Sequence, residues 1–323
     1  MMAVNEEMSK ALESSREKLS EEALSIIRKF LQSCLHPHGG FTDRAGKADP
    51  YYSVFAYFLA YVFNLEIPIN AQKKFITSWK ESHSIDLIHA VSLFQCSILI
   101  EALEIRDNNK KLSKLFSGSY FMKNQVKSKI VKRVKASHSD LLTIIEEYRS
   151  ADAGFNHTNK RSPEGNIYAT FLVWGLYQDL GISQKENEEM LACISKLQLS
   201  DGSYVNVSSS KEGITSATSA GLIMQMAKGE EPNPDSVSWL KKRFNSQGGC
   251  TLAENIPMAD MLNTATALLA LKLAGEPMDD FASKTAAFIN LHWDESGGFF
   301  GSIADMKADC EYSFYALLAL GLI

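Results

Sequence analysis

This sequence lacks an excess of basic charge, paired cysteines, long apolar runs and strand-like alternation. Its 33 lysines and arginines against 38 aspartates and glutamates give a formal net charge of −5. A chain with that balance offers no general basic face to a nucleic acid. Its five cysteines, Cys34, Cys96, Cys193, Cys250 and Cys310, are odd in number and scattered, with no Cys-x-x-Cys pair. That pattern excludes a disulfide framework and points to a reducing, cytoplasmic setting. The longest apolar run, Tyr51 to Phe63, falls short of the roughly 18–20 residues of a membrane span. The first 18 residues are polar and acidic, so no secretory signal is expected there. Alternation of Ile, Val and Thr never persists, which leaves little room for sheet. What remains is 45% hydrophobic and 22% charged, enough apolar material for a core.

Against those absences stands a recurring glycine turn. It reads Gly39-Gly40-Phe41, Gly154-Phe155, Asp201-Gly202-Ser203-Tyr204, Gly248-Gly249-Cys250 and Gly297-Gly298-Phe299. The later copies are spaced 47, 47 and 49 residues apart, a period that suits a helix–loop–helix unit. An amphipathic stretch precedes most turns, such as Ala23-Ile26-Ile27-Phe30-Leu31 or Phe281-Phe288-Ile289-Leu291. A polar loop and a strongly apolar helix follow each one. Three of those helices align without a gap from Asp49, Asp260 and Asp309, sharing the pattern Asp-x-x-x-Ser/Thr-x-x-Ala. Aspartate suits a helix N-cap, and Pro50 suits the first helical position. The small residues four and seven places on lie on one face and permit close helix approach. Asn166–Leu176 and Ile214–Ala227 fit as diverged copies, and Asp86-Leu87-Ile88-His89 opens another apolar helix without a glycine turn before it. The stretch from about 106 to 150 reads as an irregular helical insert. Within it, the basic run Lys123–Lys135 reads as a solvated helix face. The whole chain, 1–323, is then one all-α domain of about six helical hairpins closing on each other.

Helical hairpins joined by Gly-Gly-Phe turns, with aspartate heading the next helix, resemble protein prenyltransferase β subunits and squalene–hopene (terpenoid) cyclases. That resemblance implies an α/α toroid: an inner ring of helices inside an outer ring, around a central apolar cavity. It rests most on Gly39 to Ser53 and on Gly297 to Phe314. It implies an isoprenoid-processing enzyme acting on a prenyl diphosphate or polyprene. The alternative is a non-catalytic ring that binds a peptide, lipid or partner protein.

Residue by residue, the prenyltransferase pattern would place zinc on an Asp-x-Cys pair and a histidine. Here Asp309 matches the aspartate, Glu311 stands at the cysteine position, and Tyr52 stands at the histidine position. Cys310 is one residue early, a rotation of about 100° on a helix. A histidine at the family offset occurs only as His89, after Asp86. No metal or other cofactor is therefore expected. Tyr312 matches a diphosphate-contacting tyrosine, whereas Ile303 and Met306 occupy the basic positions. Arg44 and Lys47 are the substitute cations, from a turn that a closed ring would set beside the last one. In the cyclase pattern the proton donor would fall at Leu262 in one unit and at Glu311 in the last. Only Glu311 can donate, with Asp309 beside it. The candidate site is thus Glu311 and Asp309 as catalytic carboxyls, with Tyr312, Tyr52, Arg44 and Lys47 at the substrate. Tyr51, Tyr52, Phe55, Tyr57 and Phe58 are too dense for one helix face, so some are expected to line a cavity. His36, His38 and His157 read as loop histidines.

Overall fold

The computed structural model describes residues 4–110, 124–182 and 184–323. Fourteen helices lie among them: α1 Val4–Lys18, α2 Glu21–Ser33, α3 Pro50–Val62, α4 Ile69–Ser82, α5 Leu87–Lys110, α6 Asn124–Ser137, α7 Ser139–Glu147, α8 Ile167–Leu180, α9 Gln184–Ser195, α10 Thr215–Ala227, α11 Pro234–Lys241, α12 Met261–Leu273, α13 Asp279–Leu291 and α14 Cys310–Leu322. The only strands among the described residues are two antiparallel hairpins with two-residue arms. They are β1 Phe41–Thr42 with β2 Ala48–Asp49, and β3 Cys250–Thr251 with β4 Ala259–Asp260.

Six outer–inner pairs build a ring: α2–α3, α4–α5, α7–α8, α9–α10, α11–α12 and α13–α14. The inner helices pack in the order α3, α5, α8, α10, α12, α14 and back to α3. This is the α/α toroid that the resemblance implies. Inner helices are buried on nearly every side, as Met261, Thr264, Ala265 and Ala267 to Leu271 are in α12. Outer helices bury one stripe, such as Leu24, Ile27, Phe30 and Leu31 of α2. Leu291 departs from its expected stripe and is 64% exposed.

The three aligned aspartates are N-caps, as their positions suggest. Asp49, Asp260 and Asp309 accept the backbone N–H groups of Tyr52, Asn263 and Tyr312. Asp86 does the same for His89 at 2.8 Å. Each turn crosses to the next outer helix with its first residue in the left-handed region: Gly39 at φ +97°, Gly202 at +84°, Gly248 at +90° and Gly297 at +96°. In the third unit Ala153 takes that place at φ 68°. A Cβ on Gly297 would stand 2.7 Å from the carbonyl oxygen of Ile26 in α2. The last turn therefore seats on the first outer helix and closes the ring.

The Ser/Thr of the pattern does more than stay small. Its hydroxyl accepts the N–H of the residue after the glycine turn in five units: Ser53 from Phe41 (2.7 Å), Thr170 from Phe155 (2.9 Å), Thr218 from Tyr204 (3.0 Å), Thr264 from Cys250 (2.8 Å) and Ser313 from Phe299 (3.0 Å). All five bonds are buried, so an unmatched N–H there would carry its full desolvation cost. Thr264→Val keeps the shape and removes the acceptor. We expect it to lower stability by about 1–3 kcal/mol in urea unfolding, and an unchanged midpoint would discount the latch.

Three expectations need correction. The 106–150 region is not irregular among the described residues. Helix α5 runs on to Lys110, and α6 and α7 follow; residues 111–123, and Lys123 with them, lie outside the described residues. The basic face of α6 is not simply solvated either. Lys127 reaches Asp179 at 3.4 Å, Arg133 reaches Glu101 at 2.5 Å, and Lys135 donates to the Leu180 carbonyl at 2.8 Å. Contrary to the apolar-run count, the stretch Leu87–Asn108 in α5 is long and apolar enough for a membrane span by length and composition. Most of it is buried inside the ring, the position of a core helix.

Candidate active site

The loops before neighbouring inner helices bond to each other, which gathers the helix starts at one end of the ring. Ile167 N–H donates to Asn206 O (3.1 Å), Thr215 N–H to Leu252 O (2.8 Å) and Met261 N–H to Gly301 O (2.9 Å). At the other end α1 lies across the ring from α8 to α14. Asn5 donates to Asp179 at 2.6 Å near the end of α8, and Lys18 donates to the Leu320 carbonyl at 3.0 Å near the end of α14. Between these ends lies a cavity of about 360 Å³. Its floor includes Val4, Asn5 and Met8 of α1. Its walls include Phe55 and Phe58 of α3, Phe171 of α8, and Phe314 and Leu318 of α14. Tyr51, Tyr168 and Tyr315 line it toward the helix starts.

All the expected residues but Lys47 gather near that head. Glu311 is 8% exposed and Asp309 is 4% exposed. Burial pushes the Glu311 carboxyl up to about 7, aided by the charge of Asp309 and opposed by the Tyr51 hydrogen bond and by Arg44. Burial likewise raises Asp309 to about 6, against the Tyr312 N–H and Arg44. The helix start alone would have lowered both; desolvation wins. Tyr51 donates its phenol to Glu311 Oε1 at 2.6 Å. Tyr52 packs edge-on to Tyr51 with centroids 5.6 Å apart, and burial raises its phenol above the usual range. Tyr312 is half-buried with its ring against Gly301.

Arg44 joins the cluster but is already engaged. Its guanidinium makes a bidentate pair with Asp305 at 2.5 and 2.6 Å, and its Nε stands 3.4 Å from Asp309 Oδ2. Lys307 donates back to the Arg44 carbonyl. This strap ties the first unit's turn to the last unit's loop. Lys47 is exposed in the β1–β2 turn, away from the cavity lining. Ile303 and Met306 are 69% and 65% exposed. Leu262 lines the cavity.

The zinc ligands implied by the resemblance do not come together. Glu311 bonds to Tyr51, and His89 sits between Asp86 at 2.9 Å and Asp49 at 3.7 Å in the first two inner helices. Among the described residues no group of three His, Cys, Asp or Glu side chains is placed to hold a metal ion. A tyrosine, Tyr52, and a glutamate bonded to Tyr51 stand where that pattern needs a histidine and a thiolate. His36 and His38 sit in the first glycine turn, with rings 5.6 Å apart. His157 Nδ1 accepts from the Asn166 amide nitrogen at 3.2 Å.

Sequence reasoning counted Tyr51 among the aromatics of which some would line a cavity, but not among the site residues. The signal was helical phase: Tyr51, Phe55 and Phe58 share the i, i+4, i+7 face that lines the cavity. Tyr57, on another face, is fully buried and bonds Gln72 at 2.8 Å. Tyr168 and Tyr315 had no local signal.

The raised carboxyls make a stability prediction with a definite sign. A folded pKa above the unfolded value means that the fold binds extra protons between about pH 4 and pH 7. That stabilisation is complete below about 4 and is lost as pH rises through 6–7. For Glu311 alone it is on the order of 3 kcal/mol. Melting temperature should therefore fall between pH 5.5 and 8, and fall less in Glu311→Gln. Parallel curves for the two proteins would refute it.

A ring of this kind, with an apolar core cavity and carboxyls at the inner-helix starts, defines a prenyltransferase-like toroid. The chain belongs to the prenyltransferase alpha-alpha toroid domain family, which matches residues 9–91, 111–249 and 214–323. The type II terpene cyclase MstE from Scytonema has a similar structure, with a TM-score of 0.56 at 11% identity, over 93% of this chain and 96% of that one. Candida albicans protein geranylgeranyltransferase-I, complexed with GGPP, gives 0.50 at 14% identity, over 80% and 91%. A glycosidase gives 0.51 at 10% identity, over 94% and 100%. At such identities the likeness is one of fold. Sequence comparison with curated proteins finds no match.

Proposed function

We propose that this protein is an isoprenoid-processing enzyme that protonates a polyprene in its central cavity, with Glu311 as the acid. One observation carries this reading: a buried carboxyl held near neutrality stands at the head of an apolar, aromatic cavity. A general acid works best with its pKa near the operating pH. Protonation of a trisubstituted alkene gives a tertiary cation, and an apolar cavity keeps water from it. Loss of a proton elsewhere then yields an isomer or a ring. Asp309 raises the proton affinity of Glu311, and Arg44 limits that effect.

An unphosphorylated prenol suits the site better than a prenyl diphosphate. Among the described residues lining the cavity none is Lys or Arg, and Arg44 is committed to Asp305. The open cavity favours an enzyme over a non-catalytic ring that binds a peptide or partner protein. The relatives of similar fold include a structure with GGPP and one with geranylgeranyl dihydroxybenzoate, which is consistent with a hydrophobic small-molecule ligand here. We assign the protein to the cytoplasm, in line with five free cysteines. The test is incubation with all-trans farnesol and geranylgeraniol in deuterated water. The expected product is an isomer carrying one deuterium on carbon. Unaltered prenols would count against the reading.

A further inference from the structure

Glu311 holds the proton, but it is not among the residues that line the cavity; Tyr51 is. No described lining residue carries a carboxyl, imidazole, thiol, ammonium or guanidinium group. A proton can therefore enter the cavity only from a hydroxyl or an amide. Of the lining hydroxyls, Tyr51 is the one bonded to an acid, at 2.6 Å from Glu311 Oε1. Its ring stands edge-on to Phe55, centroids 5.1 Å apart, and Phe55 belongs to the same wall. The other titratable or charged groups facing the pair are Asp309, Tyr312 and Tyr315 of the last unit, Tyr52 of α3, Tyr168 from α8 and Arg44 from the β1–β2 turn.

Resting on the acid reading above, we propose that Tyr51 is the catalytic residue that meets the alkene and relays to it the proton of Glu311. When Glu311 is protonated, its O–H can donate to the phenol oxygen, and the phenol hydrogen, which has Tyr168 as a second partner, can turn into the cavity. The Tyr51 O–H then breaks as its proton forms a C–H bond with the alkene. The π pair is consumed and a tertiary cation forms at the neighbouring carbon. In the same event the Glu311 O–H breaks, its proton re-forms the Tyr51 O–H, and a carboxylate remains. A proton lost from a carbon next to the cation returns through Tyr51 to Glu311. Atoms and charge balance, and the net change is an isomerisation or cyclisation with no other reactant. Tyr51 alone would be a poor acid, because burial pushes its phenol well above the usual range and a phenolate there is disfavoured. Reprotonation by Glu311 keeps it neutral throughout.

The experiment follows the infrared carbonyl band of protonated Glu311, assigned by its loss in Glu311→Gln, with and without dodecanol as a cavity-filling probe. Dodecanol binding is measured separately by calorimetry. The expected result has three parts. The band titrates near neutral pH; dodecanol shifts it in the wild type; and dodecanol leaves it unmoved in a Tyr51→Phe protein of near wild-type melting temperature. An equal shift in Tyr51→Phe means that Glu311 meets the cavity directly. No shift in the wild type means that Tyr51 transmits nothing. Either overturns the relay and leaves the acid reading standing. A wild-type protein with no titrating band near neutrality, or one that binds no dodecanol, overturns the acid reading itself.

Discussion

Replacing Glu311 with glutamine is expected to reduce prenol turnover by about 10²–10⁴-fold, the range of a positioned general acid. Glutamine keeps the size and shape of the side chain and can still meet the Tyr51 phenol, but it holds no transferable proton. The fold should survive. Glu311 is buried with its carboxyl raised to about 7, so its ionised form weakens the fold at pH 8 and the neutral amide removes that burden. Helicity should match the wild type, and melting temperature at pH 8 should equal or exceed it. Deuterium incorporation into farnesol or geranylgeraniol is the readout. Wild-type turnover in a well-folded Glu311→Gln protein would reduce Glu311 to a first-turn residue of α14.

A substitution at Gly321 should have the largest effect on the cavity's far end. A Cβ there would fall inside contact distance of the Ala11 carbonyl of α1, and that obstacle is backbone rather than a mobile side chain. Gly321→Val must push α1 away from the end of α14. Leu12, fully buried, and Val4, 2% exposed, would lose packing, and the floor formed with Met8 would open. We expect a loss of about 3 kcal/mol in urea unfolding, the upper end of an overpacked core site. Dodecanol binding should drop with it, since water enters an open cavity. A variant with an unchanged urea midpoint and unchanged dodecanol affinity would show that α1 does not seal the ring.

Both predictions turn on contacts between distant parts of the chain, and this is where sequence reading stopped. Tyr51 and Glu311 meet across 260 positions, Arg44 and Asp305 across 261, and Lys18 and Leu320 across 302. Helical phase could have placed Tyr51 with Phe55 and Phe58 on one face. No local pattern could have said that this face looks inward, or that the face of α14 bearing Glu311 comes up behind Tyr51. The Ser/Thr of the shared pattern was recognised as small, while its role as an acceptor for a turn N–H 12 to 15 residues away was not. Arg44 was read as a cation near the substrate. Its partner Asp305 lies in a loop that only ring closure brings beside it.

The sequence by itself determined what short-range physics decides. Aspartate caps form because a carboxylate three residues ahead of an N–H is within reach as soon as the helix begins. Glycine turns form because other residues resist positive φ; Ala153 in that region shows that the packed ring can hold even a residue that resists it. The spacing of those signals carried the six hairpins and the all-α class, and failed at the 106–150 stretch, at the basic run of α6, at the length of α5 and at Leu291. The tertiary structure decided the rest: which aromatics face the cavity, that Arg44 is engaged, what closes the floor, and that Glu311 is driven toward neutrality instead of ionised by its helix. The reason is desolvation. The dipole of a helix start is written in the residues around it, whereas the loss of water depends on every helix of the ring that packs over the carboxyl.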